Sequence, residues 1–352
     1  MTRYQRENFG VLDDGREVFQ HRLTNCHGAS VNVIDFGAII TGINVPDGDG
    51  CLSDVVLGYD NLEGYLSDCY FIGAVVGRYA NRIADGDLVI DGTHYPLPQN
   101  QGSNHLHGGP DGLQRALFQA EPFEDADGAG VLLTYVSPDG HAGYPGEMTT
   151  QISYRFDDTM SLTVEYTAQT TRPTVVNLTQ HSYFNLAGSG SVLDHELRLL
   201  AFDYTPTDAR AIPTGELEPV INTPFDFRTA KRLGERIDLP HPQLELAGGY
   251  DHNWVVAGMP GEMRLAAELT CKASGRRMAL RTTEPGIQVY SGNFLPRDHS
   301  ISKAGKSFGW REGVCLETQH FPDSPHQPTF PSTVLRPGEA YRSLTQFSFS
   351  AF

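Results

Sequence analysis

Asp-Gly pairs recur along the chain, at Asp14-Gly15, Asp47-Gly48, Asp85-Gly86, Asp91-Gly92, Asp111-Gly112, Asp127-Gly128 and Asp139-Gly140. Both residue types tolerate the left-handed backbone of a tight hairpin, so each pair is a candidate reversal between short strands. The segments between and beyond them have β-type composition: VLLTYV (131–136), QISYRF (151–156), SLTVEYTAQ (161–169), HELRLL (195–200), RRMALRT (276–282) and IQVYSGNF (287–294). Aromatic and β-branched side chains in such runs fit a pleated, half-buried surface. Extended helical periodicity is almost absent, and short helices are expected only near 60–67 and 229–237. With 37 Gly and 22 Pro punctuating 352 residues, the expectation is an all-β chain folded as a sandwich or barrel. No linker, low-complexity run or fixed-period repeat divides it, so residues 1–352 are expected to form a single large domain.

Charge narrows the partners. The 26 Lys and Arg against 43 Asp and Glu leave a formal net charge of −17, a field that repels nucleic acid and anionic lipid. Neither is expected as a partner. The five cysteines, Cys26, Cys51, Cys69, Cys271 and Cys315, are odd in number and contain no C-x-x-C pair. Reduced thiols in a cytoplasmic protein are expected rather than a disulfide framework or zinc knuckle. The N-terminal MTRYQRENFGVLDDG has no apolar core of a signal peptide, and no run approaches membrane-spanning length. Neither secretion nor membrane insertion is expected.

Several polar stretches ask for a function. In NLTQHSYFNL (177–186), an extended backbone would put Asn177, Thr179, His181, Tyr183 and Asn185 on one face. Exposed sheet faces usually carry Lys, Glu and Thr. This row of amides, a phenol and an imidazole suits a neutral, hydroxyl-rich ligand better. GRYANRI (77–83) carries Arg78, Asn81 and Arg82, which could grip hydroxyls or a carboxylate, or simply form a solvated turn. NHLHGG (104–109) offers His105 and His107 on one face if extended. A metal would need further ligands oriented by carboxylates, and no H-E-x-x-H partner appears, so no metal is expected. GGYDHNWVV (248–256) runs Asp251, His252 and Asn253 into an apolar strand, and in TEPGIQVYSGNF (283–294) Gln288 and Tyr290 share a face. In GVCLETQHFPDSP (313–325), Glu317 follows Cys315 and Leu316. A carboxylate buried there is costly unless it is held for a purpose.

Read in order, GRYANRI, NHLHGG, DGHAGYPGEM, NLTQHSYFNL, YDHNWV, TEPGIQVYSGNF and LETQHFPDSP resemble the aldose 1-epimerases, the galactose mutarotase family. The similarity runs from about residue 8 to about residue 347. It implies a galactose mutarotase-like supersandwich, a single large antiparallel β-sandwich with few short helices. It also implies a cofactor-free site that interconverts the α and β anomers of free aldohexoses such as galactose or glucose. Carried over, Glu317 is the general base at the anomeric hydroxyl and His181 the general acid at the ring oxygen. Asn81, Arg82, His107, Ser182, Tyr183, Asp251 and Gln288 fall on substrate-binding positions. His105, His252 and His320 lie inside matching motifs without a catalytic role. Gln180 and Trp254 depart from the family's usual residues, which bears on sugar preference.

Mutarotation needs one basic and one acidic group, expected here as a carboxylate and an imidazolium on opposite sides of a pyranose. The expected partner is a small-molecule monosaccharide, and the expected assembly a monomer or homodimer. A glycoside hydrolase using Asp251 and Glu317 and a non-catalytic sugar-binding or regulatory protein on the same scaffold stand as the alternatives.

Overall fold

The computed structural model describes residues 3–299 and 301–352. Nearly all regular structure is strand, and every pairing between named strands is antiparallel. The alternation anticipated from the sequence is present: Met148–Asp157 alternates buried and half-buried residues along its whole length. The Asp91-Gly92 turn joins Asp87–Ile90 to Thr93–Pro96 with both residues at positive φ, 51° and 78°. That is the two-residue hairpin geometry that Asp-Gly favours.

Three large sheets build the body. A nine-stranded sheet runs in the order Gln119–Glu124, Gly128–Ser137, Met148–Asp157, Ser161–Thr170, Tyr341–Ala351, Arg276–Thr282, Arg264–Cys271, Glu196–Leu199 and Lys231–Arg232. A six-stranded sheet runs Tyr183–Phe184, Val314–Gln319, Gly286–Tyr290, Asp251–Val256, Ala201–Thr205 and Glu218–Pro219. Five strands between Tyr4 and Asp54 form the third. One hydrophobic cluster draws on all three, including Val31 and Val33, Ile152 and Tyr154, and Ile287, Val289 and Leu316. The packing is that of a β-sandwich, in which inner faces interdigitate and outer faces stay free for other work.

The six-stranded sheet divides its residues cleanly. Trp254, Val256, Ile287, Val289, Val314 and Leu316 face the core. Period-2 alternation sends Asp251, Asn253, Gln288, Tyr290, Cys315 and Glu317 to the other face. Register then aligns them, with Asp251 opposite Tyr290, Asn253 opposite Gln288, Gln288 opposite Glu317, and Tyr290 opposite Cys315.

Two local expectations need correction. Residues 229–237 are not an α-helix: Lys231–Arg232 pairs with Glu196 and Leu197, and Leu233–Glu235 is a single 3-10 turn. The helix falls later, at Pro242–Ala247, with Pro at its start, His241 as N-cap and Gly248 at φ 66° as its stop. The other expected helix is present at Leu62–Ser67, capped by the Asn61 side chain accepting from Gly64 N–H. Nor is 177–186 one strand. Thr179–Gln180 pairs with Val75–Val76, and Tyr183–Phe184 pairs with Cys315 and Val314, so the chain changes partner at His181. Among the described residues no helix is long and apolar enough to cross a membrane.

Candidate active site

A cavity of about 230 Å³ opens on the outer face of the six-stranded sheet. The sheet contributes Tyr183, Asp251, Tyr290 and Glu317, and the walls come from the segments 69–71, 81–82, 101–107 and His181. Of the nine residues expected at the site, Asn81, Arg82, His107, His181, Tyr183, Asp251 and Glu317 line it. Ser182 and Gln288 do not. Ser182 Oγ is buried without a hydrogen-bond partner, and Gln288 donates Nε2–H to Asp251 Oδ1 at 2.7 Å.

The wall expected from 177–186 is only partly a wall. Asn177 is spent on the backbone, donating to the Ala80 and His320 carbonyls, and Asn185 donates to the Gly190 and Glu312 carbonyls. All ten residues are buried, so a wet sheet face is ruled out; only His181 and Tyr183 reach the cavity. Gln180 bonds the Gly73 carbonyl, and Trp254 lies in the core with its Nε1–H on the Phe225 carbonyl. Neither departure from the family pattern therefore touches the cavity.

GRYANRI splits in the same way. Arg78 is buried and donates to Ser137 Oγ and to the carbonyls of Ser137, Pro138, Pro145 and Gly146. Burial without a carboxylate partner brings its pKa down to about 10. It is a strut tying the 77–82 segment to DGHAGYPGEM, and it is neither a surface arginine nor a ligand contact. Arg82 is the arginine of the site. Its Nε donates to Gln101 Oε1 at 2.7 Å, and its Nη2 lies 3.5 Å from Asp251 Oδ2.

His105 and His107 do not share a face. His107 takes a left-handed backbone, φ 52°, which breaks the alternation. His105 is consumed by the Pro98 carbonyl and the Tyr144 hydroxyl. His107 instead exchanges two bonds with Asn81, itself at φ 61°: His107 N–H donates to Asn81 O, and Asn81 N–H donates to His107 Nδ1 at 3.1 Å. Burial holds His107 uncharged, well below the ordinary imidazole range. Because Nδ1 accepts, the ring proton sits on Nε2.

That tautomer settles a chemical question. Ligand atoms of His107, His181 and Glu317 all lie within 4.8 Å of one another, the composition of a two-histidine, one-carboxylate metal site. A metal-bound histidine donates its second ring N–H to an acceptor. His107 does the reverse, so it presents a hydrogen-bond donor where a metal needs a lone pair.

At the centre, His181 Nε2 lies 3.7 Å from Glu317 Oε2. Both side chains are buried, and Glu317 Oε2 has no hydrogen-bond partner. Burial brings the His181 pKa down to about 4 and pushes the Glu317 carboxyl well above its ordinary range. The Asp251 charge adds to the rise at Glu317 and Arg82 opposes it. The expected carboxylate and imidazolium are thus both biased to their neutral forms, since a desolvated charge is costly. The pair is also too close for a ring to stand between its members. His181 and Glu317 converge on one point of the cavity instead of flanking a ring.

Phe71, Gln101, Tyr290 and Phe294 also line the cavity and were not assigned from sequence. Tyr290 was legible, because it shares the strand face of Gln288. Phe71, whose ring centroid stands 4.7 Å from that of His107, and Gln101, in the turn before NHLHGG, carry no sequence signal of their own.

Comparison with known proteins is consistent across the chain. The aldose 1-epimerase family model matches residues 20–348. A galactose mutarotase of Rattus norvegicus is 42% identical over 353 residues, covering 99% of each chain. An aldose 1-epimerase of Escherichia coli (strain K12) is 36% identical over 348 residues, covering 98% of this chain and 99% of that one. Among solved structures, a galactose 1-epimerase from Lactobacillus acidophilus NCFM superposes with a TM-score of 0.88 at 28% identity, over 99% of this chain and 98% of that one.

Proposed function

The chain belongs to the aldose 1-epimerase family, and from that premise we propose that His181 and Glu317 perform its reaction as a pair sharing one proton. The reaction is mutarotation, the interconversion of the α and β anomers of a free aldose. The carrying observation is the 3.7 Å approach of His181 Nε2 to Glu317 Oε2 inside the cavity.

The anomeric and ring oxygens are bonded to the same carbon, C1, so two converging groups can reach both. Glu317 takes the proton of the anomeric hydroxyl, and the O–H electron pair becomes the second bond of the carbonyl. The C1–O5 bond breaks toward oxygen, which takes a proton from His181 Nε2. Rotation about C1–C2 then presents the other carbonyl face, and the reverse transfers close the ring. Opening leaves Glu317 protonated and His181 neutral, the forms that burial favours. Burial thus makes the charged pair, with the shared proton on His181, the costlier arrangement from which opening starts.

The remaining groups hold the sugar. Arg82 and Asp251 stand together as a donor and an acceptor for ring hydroxyls. The Nε2–H of His107 gives one fixed donor. Such paired polar groups discriminate against a sugar lacking the matching hydroxyl. The proposed substrate is a free monosaccharide, galactose first, because the rat and Lactobacillus relatives carry that sugar in their names. A two-carboxylate hydrolase is less well supported, since Asp251 gives its oxygens to Gln288 and Arg82.

Polarimetry on pure α-galactose and α-glucose tests the reading. The wild-type chain speeds the approach to equilibrium, and His181→Ala and Glu317→Gln each lose roughly 10²–10⁴-fold. Cleavage of aryl glycosides without faster mutarotation would overturn it.

A further inference from the structure

Cys315 lies under the reacting pair without a part in the chemistry above. Its Sγ is 3.5 Å from His181 Nδ1, the ring nitrogen that faces away from the proton exchange, and both residues are buried. Cys315 and Glu317 are two residues apart on Val314–Gln319, so they share its outer face. One strand therefore carries the base directly and touches the acid from behind.

We infer that Cys315 is a positioning residue: its sulfur accepts from His181 Nδ1–H, keeps the imidazole in that tautomer, and leaves Nε2 as the nitrogen that gives and takes the proton. The inference rests on the reading of His181 as the acid. Through a full cycle Nδ1 keeps its proton, while Nε2 alternates between N–H and lone pair. No net oxidation occurs and the thiol stays a thiol.

The rings around His181 do not supply this selection. Phe71, Tyr183 and Tyr290 stand 6.0, 5.1 and 6.4 Å from it, centroid to centroid, and His107 stands edge-on at 5.2 Å. These contacts fix the plane of the imidazole, yet they accept either of its two flipped orientations. A polar atom at Nδ1 separates the two.

The choice of sulfur also has a reason within this molecule. His320 has a carboxylate in the corresponding place, Glu284 Oε2 at 2.7 Å from its Nδ1, and its pKa is raised. His181 faces Glu317, Asp251, His107, Tyr183 and Tyr290 together with Cys315, and its pKa is lowered. Burial keeps the Cys315 thiol neutral. A neutral acceptor orients the ring without the added imidazolium stabilisation that Glu284 gives His320, so the proton on Nε2 is released more readily.

The test compares Cys315→Ser, Cys315→Ala and Cys315→Val in the full chain, using polarimetry and ¹⁵N-histidine NMR of the same samples. Ala and Val are expected to lower kcat by roughly five- to tenfold with KM unchanged, and Ser, which can still accept from Nδ1, restores most of that loss. The His181 signals are expected to report the Nδ1–H tautomer in wild type and Ser, and a mixture of tautomers in Ala and Val. Equal rates in Ser, Ala and Val, or one unchanged tautomer in all of them, would overturn the inference. Should His181→Ala keep the wild-type rate, the acid assignment itself fails. Should His181→Ala be inactive while Cys315→Ala and Cys315→Val run at the wild-type rate, only the role of Cys315 fails.

Discussion

Gln288 donates its side-chain N–H to Asp251 Oδ1 at 2.7 Å, from a position directly opposite Glu317 on the neighbouring strand. It lies outside the cavity lining, so its expected effect on a sugar runs through Asp251. Gln288→Ala should raise KM by about tenfold, the loss of one hydrogen bond to a charged group, and leave kcat within about twofold of wild type. Steady-state mutarotation kinetics decide it, and a fall in kcat at unchanged KM would contradict this placement.

The ionisation of the central pair can be read at one pH. At pH 5 an ordinary pair, with midpoints of about 6.5 and 4.3, would be imidazolium and carboxylate. Burial lowers His181 to about 4 and raises Glu317, so at pH 5 the imidazole should be neutral and the carboxyl protonated. In kcat/KM the acid limb, where the pair gains a second proton, should fall near pH 4. The alkaline limb, where it loses its shared proton, belongs to the raised Glu317. Selective ¹⁵N and ¹³C NMR of the two side chains reports both states, and an imidazolium in the sugar-free protein at pH 5 would contradict these resting forms.

The two arginines of GRYANRI should separate stability from binding. Arg78 makes its bonds to backbone carbonyls and Ser137, so Arg78→Lys should cost roughly 2–4 kcal/mol of stability. Arg82 faces Asp251 and Gln101 at the cavity, so Arg82→Lys should raise KM with little change in the melting temperature. Thermal melts and kinetics on both variants check the contrast.

Gly108 follows His107 with φ 83°, and a Cβ there would collide with the Gly77 carbonyl oxygen. Gly108→Ala should destabilise by about 3 kcal/mol or more. It should also lower activity in the folded fraction, because Gly108 directly follows His107 in the cavity wall. Urea unfolding and polarimetry of the same sample test both effects.

Acid should weaken the fold. His105, His195 and His252 are buried with pKa values brought down to about 4 by desolvation. Their folded pKa lies below the unfolded value of about 6.5, so their stabilising contribution is complete above that pH and is lost as pH falls toward 4. Each loses about 1.4 kcal/mol per pH unit inside that window. His320 and His326, raised by Glu284 and Asp323, act in the opposite sense: their contribution is full at acid pH and fades as pH rises through their folded values. The larger group sets the sign, and the urea midpoint should drop between pH 6.5 and 4.

Much of this molecule is decided locally. Arg276–Thr282 coincides with RRMALRT, and the strands at 128–137, 148–157 and 161–170 enclose the segments picked out by composition. Strand periodicity and Asp-Gly turns depend on neighbours in sequence, so the chain discloses them. The same periodicity puts Cys315, Glu317, Gln288 and Tyr290 on outer strand faces, and ordered motifs single out His181 and Glu317. What periodicity cannot disclose is which long-range partner a residue meets. His181 and Cys315 are 134 residues apart in the chain, and Arg78 finds its acceptors 59 to 68 residues away. Left-handed backbones at Asn81 and His107 redirect side chains that an extended reading would align. Ionisation depends on the same non-local contacts, because desolvation is imposed by whatever the rest of the fold packs around a group. The strands and the two residues proposed to react were therefore legible in the sequence; their approach to 3.7 Å and the burial that desolvates them were decided by tertiary packing.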